Sequence, residues 1–377
     1  MNAAAYDVII VGAGIIGAAC AARCARMGMH TMVIEGRSIG GGATAAAMGH
    51  IVVMDDSEAQ FALTSYSRRL WQELRHDLPS EVEYEQCGTI WVAADDEEMA
   101  EVHRKQSYYT DRGVAVEVLD AKMLANLVPN LRTGLKGGLL VPDDVVLHPA
   151  SAARFLLEEA VKSGATVQLR WEVSKIGNGR VLTKDGREFS ACSIVNAAGV
   201  SSSGLMPELA IKERKGHLAL TGRNPGFIRH QLVELGYLKS ANSISSDSVA
   251  FNVQPRKSGQ ILIGSSRQYD AESREAEPEM LKRMLRRAHE YMPGLAELST
   301  IRAWAGFRAA TPDKLPLIGP WPGDSTLFLA TGHEGLGITT SLGTARLLVD
   351  HLTGRQGAIP IEPYLPSRPA KLTGGRA

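Results

Sequence analysis

The residues best suited to chemistry stand in a glycine-rich segment near the start of the chain. Gly12, Gly14 and Gly17 have the spacing G-x-G-x-x-G, after the apolar run 6–11 and before a run with helical periodicity. In that context the first glycine permits a tight turn, the second lets the backbone approach a pyrophosphate, and the third lets the helix pack closely on the strand. Glu35 ends the next apolar run, where its carboxylate would accept hydrogen bonds from ribose hydroxyls. The pattern predicts a dinucleotide site and leaves both FAD and NAD open.

Three further segments that are poor in side chains favour FAD. Residues 40–49 read GGGATAAAMG, residues 196–199 read NAAG, and residues 332–337 read GHEGLG. A loop without bulky side chains lets backbone N–H groups reach a second phosphate and the edge of a flat ring. An apolar helix is expected after residue 337, and its positive end would face a ring carbonyl that gains negative charge on reduction. Ordinary tight turns are the alternative explanation of the second and third segments.

The motifs require a strand, a helix and a second strand in succession. Residues 6–11 and 31–35 have the apolar character of buried strands, and the residues between them place small apolar side chains and arginines at helical spacing. This βαβ opening implies a parallel sheet. Ser57, with Gln60 three residues later, predicts a capped helix that runs to about residue 76.

Segments that predict both helices and strands alternate along the chain with segments that predict mainly strands. One helix is expected at 149–163, with proline in its first turn and Gly164 just beyond it, and another at 278–292. The simplest architecture is a discontinuous dinucleotide domain that a second domain interrupts twice. The expected bounds are 1–80, 148–212 and 306–377 for the first domain, and 81–147 and 213–305 for the second.

Composition narrows the class of protein. The chain has 41 Lys and Arg against 41 Asp and Glu, and 44% of its residues are hydrophobic. These values exclude a disordered scaffold and argue against a nucleic-acid partner, because phosphate binding needs a basic excess. The four cysteines, of which Cys20 and Cys24 are expected in the core, form no C-x-x-C pair, which excludes a self-contained iron–sulfur cluster and favours a reducing cytoplasm. We expect no transmembrane segment and no metal site.

Five segments together resemble the D-amino-acid oxidase family of flavoproteins, the branch with glycine oxidase and sarcosine oxidase. They read DVIIVGAGIIGAACAARCARMG, GGATAAAMG, VNAAG, WAGFRAATPDKLPLIG and TGHEGLGITT, in the family's order and across nearly the whole chain. The resemblance implies an α/β, glutathione-reductase-like FAD domain and an α+β substrate domain built on a mixed sheet. It also implies oxidation of an amine, in which the Cα–H hydride passes to flavin N5 and the imine then hydrolyses.

The expected contacts with FAD are made by residues of these motifs and by a few residues outside them. They are Gly12, Gly14, Ile15, Ile16, Gly17, Glu35, Gly36, Arg37, Gly42, Ala43, Thr44, Met48, Gly49, Val173, Ala197, Ala198, Gly199, Gly332, Gly335, Leu336, Gly337, Ile338 and Thr339. In sarcosine oxidases a cysteine tethers the flavin five residues before the threonine of the T-P-D turn, and Gly306 holds that position here. The expected FAD is therefore noncovalently bound.

Four residues are candidates for the chemistry itself. By resemblance Arg308 holds the substrate carboxylate, which suits a bidentate guanidinium; a salt bridge between domains is the alternative. His50, His333 and Glu334 stand beside the expected flavin loops and could flank the ring, a histidine serving as proton relay near neutral pH. For these three, hydrogen bonding to nearby backbone is the alternative.

A second departure from the family concerns oxygen. Sarcosine oxidases carry a lysine that activates oxygen in a strand like 261–264, and Leu262 holds the matching position. Loss of that cation favours a dehydrogenase, because nothing at this position would stabilise superoxide-like charge. A dehydrogenase must pass the electrons of the reduced flavin to an acceptor other than oxygen. The C-terminal motif resembles β subunits of heteromeric dehydrogenases acting on D-hydroxyproline or on opines, which implies partner subunits with further redox centres, FAD or iron–sulfur clusters among them.

We therefore expect an FAD-dependent dehydrogenase that oxidises the C–N bond of a secondary or cyclic amino acid. D-Hydroxyproline or D-proline is the first expected substrate and an opine the second. A peroxide-forming oxidase, an NAD-dependent dehydrogenase and a flavin subunit that only relays electrons are the alternatives. The basic face formed by Lys282, Arg283, Arg286 and Arg287 would dock an acidic acceptor or is simply solvated. The expected location is the cytoplasm, with attachment to a membrane through partners as a variant.

Overall fold

The computed structural model describes residues 5–236, 247–269, 271 and 273–369. The strands of this part of the chain are β1 Tyr6–Val11, β2 Thr31–Glu35, β3 His50–Ile51, β4 Thr89–Ala93, β5 Glu117–Asp120, β6 Gly137–Val141, β7 Val145–Val146, β8 Thr166–Leu169, β9 Val173–Gly177, β10 Arg180–Thr183, β11 Glu188–Asn196, β12 Lys212–Thr221, β13 Gln231–Glu234, β14 Ser248–Pro255, β15 Ile261–Arg267, β16 Thr300–Ala310, β17 Leu317–Trp321 and β18 Asp324–Thr331. The helices are α1 Ile15–Arg26, α2 Glu58–Leu74, α3 Asp96–Thr110, α4 Ala121–Leu127, α5 Pro149–Lys162, α6 Ser202–Leu205, α7 Pro278–Tyr291 and α8 Gly337–Leu352. The predicted α/β class with a second, mixed sheet is confirmed.

The chain divides into two compact units. Unit 1 comprises residues 1–82, 148–213 and 307–377, and unit 2 comprises residues 83–147 and 214–306. Each unit is discontinuous in sequence and holds its own hydrophobic core.

The sheet of unit 1 has the strand order β17-β18-β11-β1-β2-β8. Neighbouring strands from β18 to β8 run parallel, and the register aligns Val11 with Asn196 and with Ile34. Apolar side chains of the same strands, such as Ile9 and Ile194, form the core. Because the strands are parallel, the segments that follow β1, β2, β11 and β18 all leave from one edge of the sheet, where α/β proteins bind ligands.

Small side chains let the helices of unit 1 pack closely. Helix α1 packs against α5 and α8, and its buried residues are alanines, isoleucines, a glycine, Cys20 and Cys24. Both thiols are buried as predicted, and burial raises the pKa of Cys24 to about 12. The predicted cap of α2 is also present, since the Ser57 hydroxyl accepts the Gln60 N–H at 3.1 Å. Helix α5 begins at Pro149 and ends before Gly164, as expected.

A buried ion pair fastens the end of the described chain to unit 1. Arg368 donates to both carboxylate oxygens of Asp313, at 2.6 and 2.8 Å, and to the carbonyl oxygens of four residues, Leu315, Pro316, Tyr364 and Leu365. Both side chains are about one-tenth exposed. Because Asp313 belongs to the T-P-D turn at residues 311–314, this turn also holds the segment around Arg368 in place.

The sheet of unit 2 has the order β16-β12-β15-β14-β13-β4-β6-β5. Helix α7 covers one face with Met284, Ala288 and Tyr291, and the Tyr291 ring stacks on Phe251 with 4.6 Å between centroids. The basic face predicted on this helix is partly neutralised, because Arg287 is paired with Glu234 and Glu290.

The opposite face of this sheet holds buried polar side chains. Thr89 pairs with Gln231 across β4 and β13, and the antiparallel register of β13 and β14 places Gln254 opposite Gln231. The Thr89 hydroxyl, the Gln231 amide oxygen and both amide atoms of Gln254 are buried and have no hydrogen-bond partner among the described residues. Sequence analysis did not identify this row, because one polar residue in a strand is indistinguishable from a surface position.

Candidate functional site

Backbone crowding explains two of the three fingerprint glycines. Gly12 has a φ of +109°, and a Cβ atom there would lie 2.6 Å from the Ala197 carbonyl oxygen. A Cβ on Gly17 would lie 1.9 Å from the carbonyl oxygen of Gly12. At Gly14 the nearest atom would be the Thr44 hydroxyl, at 3.4 Å, so the protein's own packing does not require glycine there. The missing side chain leaves room above the start of α1, which fits a phosphate group.

The start of α1 receives its cap from a distant loop. Gly14 is the N-cap residue and offers no side chain, and the Thr44 hydroxyl accepts the N–H of Ile15 at 3.0 Å. Gly40 fastens the same loop by donating its N–H to the Ala13 carbonyl at 2.8 Å. The side chains of Ile15 and Ile16 are buried, so only their backbone could face a ligand.

Glu35 lies at the end of β2 beside this turn. One carboxylate oxygen accepts the Ala13 N–H at 2.7 Å and the other accepts the Arg37 N–H at 2.8 Å. Each oxygen keeps a further lone pair for a ribose hydroxyl. Gly36 and Arg37 continue into an exposed loop, and Gly42 and Ala43 are exposed as well, whereas Met48 and Gly49 are buried.

The NAAG segment lies beside the glycine loop at the end of β11. Ala197 donates its N–H to the Val11 carbonyl at 2.9 Å, and Ala198 and Gly199 are half-buried. The Ser202 hydroxyl bridges Asn196 at 2.9 Å and Thr331 at 3.0 Å, which joins the ends of β11 and β18. Sequence analysis missed this bridge because Thr331 is more than 100 residues away from Asn196 and Ser202 in the chain. Val173 is half-buried at the start of β9 opposite Thr183. The chain just before it lies beside the end of β2, because Trp171 donates its N–H to the Glu35 carbonyl oxygen at 3.0 Å.

The loop before α8 begins with a constrained glycine. Gly332 has a φ of +78°, and a Cβ there would lie 2.6 Å from the methyl group of Thr311. Helix α8 then starts at Gly337 after Leu336, without a side-chain cap. The first backbone N–H groups of the helix thus donate no hydrogen bond to an N-cap side chain, which suits the predicted contact with a ring carbonyl. Ile338 is buried, and the hydroxyl of Thr339 donates to the His50 carbonyl at 3.0 Å, so neither side chain is available to a ligand.

His50 and Arg308 lie close together in unit 1, with Gly335 beside them. Burial, together with the nearby charge of Arg308, lowers the pKa of His50 to about 4, against the opposing effect of the Gly335 backbone. A Cβ on Gly335 would lie 3.9 Å from Cδ of Arg308. His50 is therefore neutral at physiological pH and lies within range of the positive charge of Arg308.

His333 and Glu334 have different environments. The His333 ring is buried and hydrogen-bonded to the Thr344 hydroxyl at 2.9 Å, and burial lowers its pKa to about 3. A buried, neutral ring held in this way favours a structural role over a proton relay near neutral pH, although its partner is a side-chain hydroxyl and not the backbone that the alternative expected. Glu334 is half-buried and has a φ of +49°, a conformation uncommon for residues other than glycine.

The departures from the family pattern lie in unit 2. Leu262 is buried on β15, where the register aligns it with Gln254 and with Leu220. His217, a further histidine near the β-rich segments, has its Nδ1 2.8 Å from the Ser266 hydroxyl, and its Nε2 accepts the Glu277 N–H at 3.1 Å. Both ring nitrogens of His217 thus have structural partners.

Two further findings concern metal sites and membrane-spanning helices. Among residues 5–236, 247–269, 271 and 273–369, no three His, Cys, Asp or Glu side chains are grouped to hold a metal ion. None of the helices described here is long and apolar enough to cross a membrane.

A parallel sheet with glycine loops at its carboxyl edge is the architecture of a dinucleotide-binding flavoprotein, and the open space at Gly14 and the uncapped start of α8 fit FAD. The chain belongs to the DAO family of FAD dependent oxidoreductases, whose model matches residues 7–351. The predicted family, cofactor and enzyme class are confirmed.

Similar proteins span nearly the whole chain. Glycine oxidase of Bacillus licheniformis is 27% identical over 93% of this chain and 93% of its own. Hydrogen cyanide synthase subunit HcnC of Pseudomonas protegens is 26% identical over 96% of each chain. The crystal structure of glycine oxidase from Geobacillus kaustophilus superposes with a TM-score of 0.88 at 25% identity, over 97% of this chain and 99% of that one.

Proposed function

We propose that this flavoenzyme oxidises the C–N bond of an amino acid, with D-hydroxyproline or D-proline as first substrate and an opine as second. The observation that carries the proposal is Arg308 beside His50 and Gly335, in the unit that also holds the glycine loops. A guanidinium binds a carboxylate through two parallel hydrogen bonds and so orients the carbon next to it. The relatives named glycine oxidase support an amino acid as substrate.

The residues of unit 1 divide the binding of FAD between them. The start of α1 at Gly14 would hold the pyrophosphate, Glu35 the ribose hydroxyls, and the first turn of α8 a ring carbonyl. When bound, FAD would accept a hydride from the substrate. Gly306 offers no nucleophile at the position of the tethering cysteine, which supports noncovalent binding. In this proposal unit 1 is the FAD domain and unit 2 the substrate domain.

We propose a dehydrogenase that passes electrons to a partner subunit with a further redox centre. Leu262 supports this, because no cation stands where sarcosine oxidases carry lysine. The relative named as a hydrogen cyanide synthase subunit supports a heteromeric complex. The glycine oxidase relatives favour the second candidate, a peroxide-forming oxidase.

An anaerobic substrate screen tests the reaction. The purified flavoprotein is mixed with D-hydroxyproline, D-proline, glycine and an opine, and bleaching of the flavin absorbance is recorded. We expect bleaching by a secondary or cyclic amino acid and slow recovery when air is admitted. Recovery within seconds, with one peroxide per flavin, identifies an oxidase, and the absence of bleaching by every amino acid refutes the proposal.

A pair of arginine variants tests the substrate site. Arg308→Ala should raise KM for carboxylate substrates at least tenfold, and Arg308→Lys should restore little, because lysine cannot bind a carboxylate bidentately. Arg302→Ala is the matched control, since Arg302 lies exposed on the same strand. An unchanged KM in Arg308→Ala contradicts the assigned role.

A further inference from the structure

His50 has a fixed backbone and a ring nitrogen without a partner. The Thr339 hydroxyl on α8 donates a hydrogen bond to the His50 carbonyl oxygen at 3.0 Å and accepts one from the Val52 N–H at 3.4 Å. These two bonds fix the backbone of strand β3 against α8. Nδ1 of His50 is buried and has no hydrogen-bond partner among the described residues. A buried polar atom in that state normally has a partner in water or in a ligand.

The remaining ring nitrogen defines the tautomer. The interaction with the Gly335 backbone favours the protonated ring, as a carbonyl acceptor does. Nδ1 has no partner among the described residues, so we assign the hydrogen to Nε2 and the lone pair to Nδ1. His50 therefore presents a neutral hydrogen-bond acceptor.

Arg308 presents the complementary group at the same place. Its charge is near enough to His50 to lower the histidine pKa, and its Cδ and Nε would lie 3.9 and 4.0 Å from a Cβ on Gly335. Gly335 has no side chain and is exposed, which leaves space beside both groups. A cationic donor and a neutral acceptor side by side match the carboxylate and the N–H of an α-amino acid.

We propose that Nδ1 of His50 and the guanidinium of Arg308 form a two-point site for an α-amino acid, in which His50 accepts a hydrogen from the substrate amine. This inference rests on the proposed function and names its substrate class: amino acids that carry at least one N–H, whether primary or secondary. An imidazole that titrates near pH 4 is too weak a base to take the proton of an ammonium group. His50 is thus a binding residue that orients the nitrogen, and it discriminates against quaternary amines.

Two substitutions at His50 separate its two nitrogens. Asn places its amide oxygen near the position of Nδ1, whereas Gln reaches toward the position of Nε2 and loses the Nδ1 acceptor. Ligand affinity is measured anaerobically by calorimetry on the flavin-loaded protein after the flavin has been chemically reduced, so that D-proline binds without being oxidised. The probes are D-proline, its N,N-dimethyl betaine and cyclopentanecarboxylate, which lacks the nitrogen.

The wild-type protein should bind D-proline roughly tenfold or more tightly than either other probe. His50→Gln should abolish this preference without changing the affinity for cyclopentanecarboxylate, and His50→Asn should keep most of it. Equal losses for D-proline and cyclopentanecarboxylate in His50→Gln, or no preference in the wild type, overturn the inference. If the preference for D-proline depends on His50 but no amino acid bleaches the flavin, the inference stands and the proposed reaction is refuted. If an amino acid bleaches the flavin but His50 gives no preference for D-proline, the proposed reaction stands and the inference is refuted.

Discussion

Replacing Gly17 with alanine should damage the fold itself. The added methyl carbon would lie 1.9 Å from the Gly12 carbonyl oxygen, more than 1 Å inside the 3.0 Å that real contacts respect. Gly12 cannot yield, because its N–H donates to the Ile34 carbonyl at 2.8 Å and its own φ is +109°. Overpacking costs about 1–3 kcal/mol, and so deep an overlap with fixed backbone belongs at the upper end of that range. Alanine returns about 1 kcal/mol through its helix propensity, so we expect a net loss of about 2 kcal/mol.

Replacing Gly14 with alanine should leave the fold intact and weaken FAD binding. The methyl carbon would meet the Thr44 hydroxyl at 3.4 Å, an ordinary contact, and the backbone is extended with φ −67° and ψ 175°. The free energy of unfolding should therefore change by no more than about 0.5 kcal/mol. The methyl group would instead occupy the space proposed for the pyrophosphate, and the affinity for FAD should fall at least tenfold.

Gly204 supplies the matched control, because it is exposed, a Cβ there would have no atom within 4 Å, and it is not among the expected FAD contacts. Urea denaturation of the flavin-free variants measures the free energy of unfolding, and quenching of flavin fluorescence measures the FAD affinity. Gly204→Ala should match the wild type in FAD affinity and should be no less stable. Wild-type stability of Gly17→Ala would refute the packing argument, and wild-type FAD affinity of Gly14→Ala would refute the assignment of this loop to the pyrophosphate.

Three further predictions concern stability. His50 and His333 have folded-state pKa values of about 4 and about 3, below the value of about 6.5 in unfolded chains, so the unfolded state takes up protons first as pH falls. Stability should be full above pH 6.5 and fall by about 2 kcal/mol per histidine by pH 5; urea denaturation that shows no change between pH 7 and 5 would contradict this. Arg368→Lys breaks the buried bidentate pair and should cost about 3 kcal/mol in the same assay, against about 0.5 kcal/mol for the exposed control Arg180→Lys. Gln254→Leu removes two buried amide atoms that lack partners and should raise stability by about 1 kcal/mol, whereas a loss would show that the amide is satisfied in solution.

Local patterns in the sequence were enough to predict the elements that we propose hold the cofactor. The run of glycines after β1 follows from the turn geometry that a strand and a helix need when they meet. Ser57 before α2 and Pro149 at the start of α5 act on backbone groups within a few residues, so their effects are visible in sequence. The same holds for the buried cysteines of α1, since helical periodicity alone places them on the packed face.

The tertiary structure decided which distant residues meet. Thr44 caps α1 from another loop, Ser202 joins the ends of β11 and β18, and the His333 ring is held by Thr344 although the sequence made it a candidate for proton transfer. Arg308 and His50 come together from positions more than 250 residues apart. Such contacts depend on strand order and helix packing across the whole unit, and residue type and spacing along the chain carry no information about them.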